Sequence, residues 1–230
     1  LRTQSDRGLF GNDNAGNSIA YTLTKIPSFL DLRRNADGSY PRNPFYPSNP
    51  LQTIERFQND EGVWRNITTG RLTWEIARRE RQELRFVGFG GVDVLSQRNE
   101  VYSPPDLQYE PLDGLPGTTA VSGASNQNAN LNLNAVHVWR PVRAIAATTQ
   151  LGTQWERRNF SVNRASAQNL LGGLEVVTAG TIRDVDEQRL LVDDFGIFAQ
   201  SEVLVAERLL LTAGARADRS SNNGDPGKYY

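Results

Sequence analysis

The feature that most constrains this 230-residue chain is a set of long stretches in which charge falls on every second residue only. Successive side chains of a strand point to opposite faces, so a two-residue period with one uncharged face selects extended chain over helix. Between Val63 and Ala77 the even positions are Trp64, Asn66, Thr68, Gly70, Leu72, Trp74 and Ile76, while Arg65, Arg71 and Glu75 are odd. From Leu84 to Leu95 the even row is Leu84, Phe86, Gly88, Gly90, Val92 and Val94, and Arg85 and Asp93 are odd. Asn130, Asn132 and Asn134 alternate with Leu131, Leu133, Ala135 and His137, and the row from Ile145 to Trp155 alternates with Gln150, Gln154 and Glu156. Phe195, Ile197, Ala199, Ser201, Val203 and Val205 oppose Asp194, Gln200 and Glu202; Leu209, Leu211, Ala213 and Ala215 oppose Arg208, Thr212, Arg216 and Asp218. Pattern counting gives about six strands.

These strands reach about 12 to 18 residues, against the roughly 5–6 usual in soluble sheets. Their connections alternate in length. Tight turns are expected near Arg78–Gln82, Arg140–Ala144 and Ala206–Arg208, and long Pro-, Gly- and Asn-rich loops over Ser96–Ala129, Arg157–Arg189 and the first sixty or so residues. Short turns at one end and long loops at the other are the habit of outer-membrane barrels. Trp64 and Trp74 share a face ten residues apart, about 33 Å along a strand, which at a tilt of about 40° projects to the roughly 25 Å apolar band between aromatic girdles. Ile145 and Trp155 repeat that spacing, and Trp139 precedes the turn at Pro141. The expected fold is therefore all-β: a partial antiparallel transmembrane β-barrel of about six strands in three hairpins, with long extracellular loops and Trp64, Trp74, Trp139 and Trp155 at the membrane girdles. One short loop helix is expected from Asn49 as N-cap, Pro50 at the first helical position, and Leu51, Ile54 and Phe57 at helical spacing. No linker divides the chain, so residues 1–230 read as a fragment of one barrel domain. The absence of Met and the start at Leu1 fit a processed or partial piece.

Composition removes most chemistry. With 25 basic and 26 acidic residues the formal net charge is -1, which gives no general attraction to nucleic acid. There is no Cys and one His, so thiolate zinc sites, thiol catalysis and most imidazole-based triads are excluded; no enzyme, metal site or cofactor is expected. No stretch approaches the roughly 18 apolar residues of a spanning helix. Asp193-Asp194 and Asp184-x-Asp186-Glu187 lack the calcium-loop spacing and read as solvated charge. Arg65, Arg71, Arg85, Asp93, Glu156, Asp194, Glu202 and Arg216 are expected to line the lumen, with Arg208 and Arg216 compensating Asp194. Gly88, Gly90 and Gly91 suggest close backbone approach or sharp curvature. Tyr40, Phe45, Tyr46, Tyr102 and Tyr109 fall in the expected outer loops, where aromatic platforms contact sugars or peptides or simply pack the loops.

Several dispersed segments resemble the SusC/RagA-like TonB-linked outer-membrane receptors: Ile26-Pro-Ser-Phe-Leu-Asp-Leu32, Asn43-Pro-Phe45, Ser48-Asn-Pro-Leu-Gln-Thr53, Val63-Trp-Arg65, Gly90-Gly-Val-Asp93, Val101-Tyr-Ser-Pro-Pro105, Gly114-Leu-Pro-Gly117, Leu133-Asn-Ala-Val-His137 and the run Arg208–Ser220. The closing Leu-Thr-Ala-Gly-x-Arg-x-Asp pattern is shared by TonB-dependent receptors generally. Such a receptor has a plug inside a barrel of about 22 strands, so this chain corresponds to part of the wall. Neither the plug nor the TonB-contacting segment is found here. The resemblance implies a receptor in the bacterial outer membrane that binds and imports a large nutrient of the glycan or peptide class. Its implied partners are the TonB complex acting through the plug, a SusD-like surface lipoprotein and outer-membrane lipid. Two alternatives stay open: a passive outer-membrane porin, and a soluble all-β carbohydrate-binding domain.

Overall fold

The computed structural model describes residues 2–5, 18–172, 174–225 and 227–230. It contains two short helices, α1 (Ile19–Thr24) and α2 (Pro50–Arg56), and the strands β1 (Arg2–Ser5), β2 (Gln58–Arg79), β3 (Gln82–Ser103), β4 (Thr118–Val142), β5 (Ile145–Leu170), β6 (Gly180–Val205) and β7 (Leu209–Ser220). All seven strands belong to one sheet in the order of the chain, β1 through β7, so each joins its neighbour as a hairpin or meander and β1 and β7 are the edges. The fold is all-β and antiparallel, and the six strands expected from alternation are β2 to β7.

The strands are longer than the alternation suggested. β2 to β6 run 22 to 26 residues each. Much of the expected loops Ser96–Ala129 and Arg157–Arg189 is therefore strand, and the connections shrink to 104–117 and 171–179. The reason is composition. Thr118–Ala129 and Ser161–Gln168 carry Ser, Asn, Gln and Gly on both faces, so hydropathy does not alternate there, although the backbone ladder continues. The tight turns fall where expected. β6 and β7 pair antiparallel from Val205↔Leu209 to Asp194↔Ser220, around a turn in which Arg208 N–H donates to the Val205 carbonyl at 3.1 Å. Ala206 and Glu207 both have positive φ, 53° and 57°, in the left-handed region normally filled by Gly and Asn.

The chain divides into two compact units. The first comprises residues 1–64, 96–124 and 161–188. Its centre is largely polar: Thr22, Asn43, Ser48, Asn49, Gln52, Thr53, Ser103, Glu110 and Thr119 are buried along with Leu32, Phe57, Leu107 and Leu170. Asn49 organises it. Its side-chain oxygen accepts from Leu51 N–H at 2.9 Å and Gln52 N–H at 3.3 Å, capping α2 as the sequence predicts. Its amide nitrogen donates to the carbonyls of Leu32 and Pro41 at 2.9 and 3.0 Å. One side chain thus holds three segments that have little apolar surface to bury. β1 pairs antiparallel with β2, Arg2 opposite Trp64.

The second unit comprises residues 65–95, 125–160 and 189–230. Its exposure is inverted relative to a soluble domain: Leu72, Trp74, Ile76, Val92, Trp139, Leu151, Leu191, Ile197, Leu209 and Leu211 are all exposed, whereas Val136 and Val192 are its buried large aliphatics. Water-facing surfaces rarely carry so extended an apolar row. Close packing occurs on both faces. A Cβ on Gly152 would collide with Asn134 Oδ1 and the Phe198 ring, so the aromatic ring of β6 lies over a glycine of β5. A Cβ on Gly90 would stand 3.0 Å from the Asn130 carbonyl oxygen, and one on Gly91 3.0 Å from Thr69 Cγ2, the close approach expected of those glycines.

Candidate functional site

Two surfaces carry the residues singled out by sequence. In the first unit, the segment before β2 and the end of β3 enclose a pocket of about 750 Å³ lined by Arg34, Tyr40, Gln52, Glu55, Arg56, Tyr102, Asp106, Gln108 and Glu175, among others. Its rim is braced by charge pairs. Arg34 lies 3.4 Å from Glu55, Arg56 pairs with Asp106, and Tyr40 donates its hydroxyl to Glu55. Gln52 donates to the Asp106 carbonyl at 3.1 Å, and Gln108 to the Pro41 carbonyl at 3.0 Å. The Tyr40 hydroxyl is pushed above the ordinary tyrosine range by its bond to Glu55, and that of Tyr102 by burial and then by the Glu175 charge. Both phenols are therefore neutral, the Tyr40 proton being engaged by Glu55. The pocket can offer guanidinium, amide, phenol and carboxylate groups to a polar ligand.

Of the five loop aromatics, Tyr40 and Tyr102 meet in this pocket. Phe45 is half exposed away from its lining, and Tyr46 stacks edge-on against Tyr21 with centroids 5.7 Å apart. Tyr109 is a packing residue. Its hydroxyl lies 2.9 Å from Ser103 Oγ, and burial pushes it well above the tyrosine range. Beside it the buried Glu110 accepts from Ser103 Oγ, from Gly117 N–H at 2.7 Å and from Thr118 Oγ1 at 3.4 Å. Burial raises the Glu110 carboxyl above the glutamate range, and those donors oppose the rise. Sequence reasoning does not single out Arg34, Gln52, Arg56 or Gln108. They are ordinary surface types, and only α2 and the loops around it bring them together.

The second surface is the charged face of the second unit. Arg65 makes a bidentate pair with Asp93 at 2.6 and 2.8 Å across β2 and β3. Arg158 reaches Asp194 at 3.1 Å and Glu156 at 3.5 Å; Arg216 donates to Gln154 at 3.1 Å and to Asp218 at 2.8 Å. Glu202 accepts from Gln200 at 2.9 Å, and Arg85 lies 4.0 Å from Glu83. Arg71 is exposed on the same row of β2 as Arg65. Each pair joins residues of matching parity. The expectation that Arg208 and Arg216 compensate Asp194 is corrected: the β6–β7 register sets Asp194 opposite Ser220 and Arg216 opposite Phe198, while Arg208 sits in the turn. Asp194 takes its cation from β5 instead.

Asp193, one residue away, pairs with Arg157 on the other face at 2.7 and 2.9 Å, so the adjacent aspartates point apart and do not form an acid–base pair. The Arg157 guanidinium stands 6.0 Å from the Trp155 ring centroid. Trp64, Trp74 and Trp139 are exposed, Trp155 half-buried. His137 is half-buried, and among the described residues no group of three or more His, Cys, Asp or Glu could hold a metal ion. Among the same residues no helix is long and apolar enough to cross a membrane, which leaves spanning by strands open.

No protein-family model matches the chain, and no curated protein matches it. Solved structures do. One of the RagAB peptide transporter aligns with a TM-score of 0.61 at 11% identity, covering 85% of this chain and 22% of that one. The RagAB peptide importer in its closed-closed state gives 0.66 at 13% identity over the same shares. In its open-open state the TM-score is 0.66 at 12% identity, over 100% of this chain and 26% of that one. At these identities the likeness establishes the fold. The chain spans about a quarter of the length of the solved chains it matches.

Proposed function

We propose that the chain is part of the barrel wall and outer loops of a TonB-dependent outer-membrane transporter of the SusC/RagA type, and that it has no catalytic role. The observation that carries the reading is the second unit's inverted sheet: long antiparallel strands with exposed Trp, Leu and Ile on one face and paired charges on the other. A bilayer solvates the first face and a polar interior the second. The fold shared with RagAB structures supports the same reading. In this account residues 1–230 belong to one barrel domain, and Trp64, Trp74, Trp139 and Trp155 lie at the membrane girdles. Arg65, Arg71, Arg85, Asp93, Glu156, Asp194, Glu202 and Arg216 face the interior around a plug.

The pocket holding Tyr40 and Tyr102 contributes to ligand capture at the cell surface, the ligand being a glycan or peptide too large for passive diffusion. Energy comes from TonB through the plug, and a SusD-like lipoprotein covers the outer mouth. The test is the parent reading frame and its product. A signal peptide, a TonB-contacting segment and a plug encoded upstream, with the product in the outer-membrane fraction, support the proposal. A barrel without a plug would instead make it a porin. A product in the soluble fraction would leave a soluble all-β binding domain.

A further inference from the structure

We propose that the pocket at the tight-turn end of the second unit binds a zwitterionic phosphoethanolamine group, the headgroup of a membrane phospholipid. The turns joining β2–β3, β4–β5 and β6–β7 are tied side by side: Arg140 N–H donates to the Arg81 carbonyl at 2.7 Å, and Ala206 N–H to the Ala144 carbonyl at 2.6 Å. Between them lies a cavity of about 630 Å³ whose charged lining is Arg81, Arg140, Arg143, Glu80 and Glu207. Opposite charges sharing so small a space ordinarily close on one another. Among the described residues these five form no ion pair. The pairs nearby are Arg78–Glu75 and Arg85–Glu83, and the side-chain bond made within the set is Arg81 to the Pro141 carbonyl at 3.3 Å.

All five side chains are exposed and none closes on another, so guanidinium and carboxylate groups both stand open to a ligand. A phosphodiester accepts from guanidinium groups, and an ammonium a few bonds away donates to carboxylates. A purely anionic headgroup would meet Glu80 and Glu207, and a purely cationic group would meet three arginines. The backbone points the same way. Glu207 sits at φ 57° in a turn position suited to glycine, so the chain keeps a carboxylate there against its conformational preference. Trp74 and Trp139, exposed on strands that run into these turns, belong at headgroup level. The lipid source of the group rests on the membrane reading above; the chemistry of the pocket does not.

The test uses the detergent-solubilised parent protein and native mass spectrometry with phosphatidylethanolamine and phosphatidylglycerol. The expected result is retention of phosphatidylethanolamine over phosphatidylglycerol by about tenfold, the ratio that one charge-assisted hydrogen bond supplies. Paired Glu80→Gln and Glu207→Gln should erase that preference, and paired Arg140→Gln and Arg143→Gln should weaken both lipids. Equal retention by the wild type, or a preference that survives the glutamate variants, overturns the proposal. Soluble O-phosphoethanolamine keeps it falsifiable if a variant misfolds: competition with the bound lipid supports the site, and its failure to compete refutes it. If the protein does not partition into outer membrane, the membrane reading falls. Direct binding of O-phosphoethanolamine to the soluble protein would then still support the pocket, and no binding would refute it.

Discussion

Glu110 offers a local test of how the connection between β3 and β4 is held. Its carboxylate is buried and joins three points of the chain, Ser103, Gly117 and Thr118. Glu110→Ala removes a charge-assisted bond to the Gly117 amide at 2.7 Å and another to Ser103, and leaves the amide without an acceptor. Each such bond contributes about 1.5–3 kcal/mol, offset in part by no longer burying a carboxylate, so the net cost is about 2–4 kcal/mol. Hydrogen exchange at Gly117 in the parent protein reads this directly. Protection should fall roughly 30- to 700-fold, with little change at the Ala199 amide in the second unit. Glu110→Gln keeps the acceptor without the charge and should hold most of the protection.

The pH dependence has a definite sign. Burial raises the folded-state carboxyl above its unfolded value. The part of its contribution that depends on titration, separate from the hydrogen bonds themselves, is therefore fully present below the unfolded value and is lost as pH rises through the folded one. The Gln variant should lack that slope. Unchanged exchange in the Ala variant, or equal loss in Ala and Gln, would refute the reasoning.

Three further outcomes are expected. Gly152→Val drives side-chain atoms into Asn134 and the Phe198 ring and should destabilise by about 1–3 kcal/mol in denaturant titrations of the refolded parent barrel; a neutral result would mean that β5 and β6 do not pack as described. Ala206→Asn with Glu207→Gly relieves two left-handed residues and should stabilise the β6–β7 hairpin by about 1–2 kcal/mol per residue in the same titration, and no gain would indicate a different turn. Leu211→Arg, opposite Val203 on the apolar face, should cost about 2–4 kcal/mol in lipid, whereas Gln200→Arg on the charged face should cost much less; equal costs would contradict the assignment of faces.

Where one face was apolar and the other charged, alternation located β2 to β7 and their turns from sequence, and the N-cap signal located α2, because Asn49-Pro50 satisfies the helix start locally. The strand segments 118–129 and 161–168 were not legible, since both faces carry polar residues and hydropathy loses its period. β1 was missed for a related reason. Four residues, Arg2–Ser5, contain no pattern and owe their conformation to pairing with β2. α1 was also missed, because Ser18 makes no side-chain cap and the helix is held by Thr22 against Ser18 and Ser48.

The charged residues were legible as a row, but their partners were not. Parity places Asp194 on a face, and only the register decides between Arg158 and Arg216. The pocket of the first unit was half legible. Tyr40 and Tyr102 stand out by type, whereas Gln52 and Gln108 matter only through long-range contacts with residues 106 and 41.

The central claim is that β6 crosses a bilayer with one face to lipid and the other to a polar interior. Because these 230 residues contain no Cys, single cysteines can be placed along β6 from Phe195 to Val203, spin-labelled in the parent protein in lipid, and probed with oxygen and a water-soluble relaxant. The account predicts a two-residue period, with Ile197, Ala199, Ser201 and Val203 open to oxygen and Phe198, Gln200 and Glu202 shielded from it. Labels equally accessible to the water-soluble relaxant at every position would contradict it.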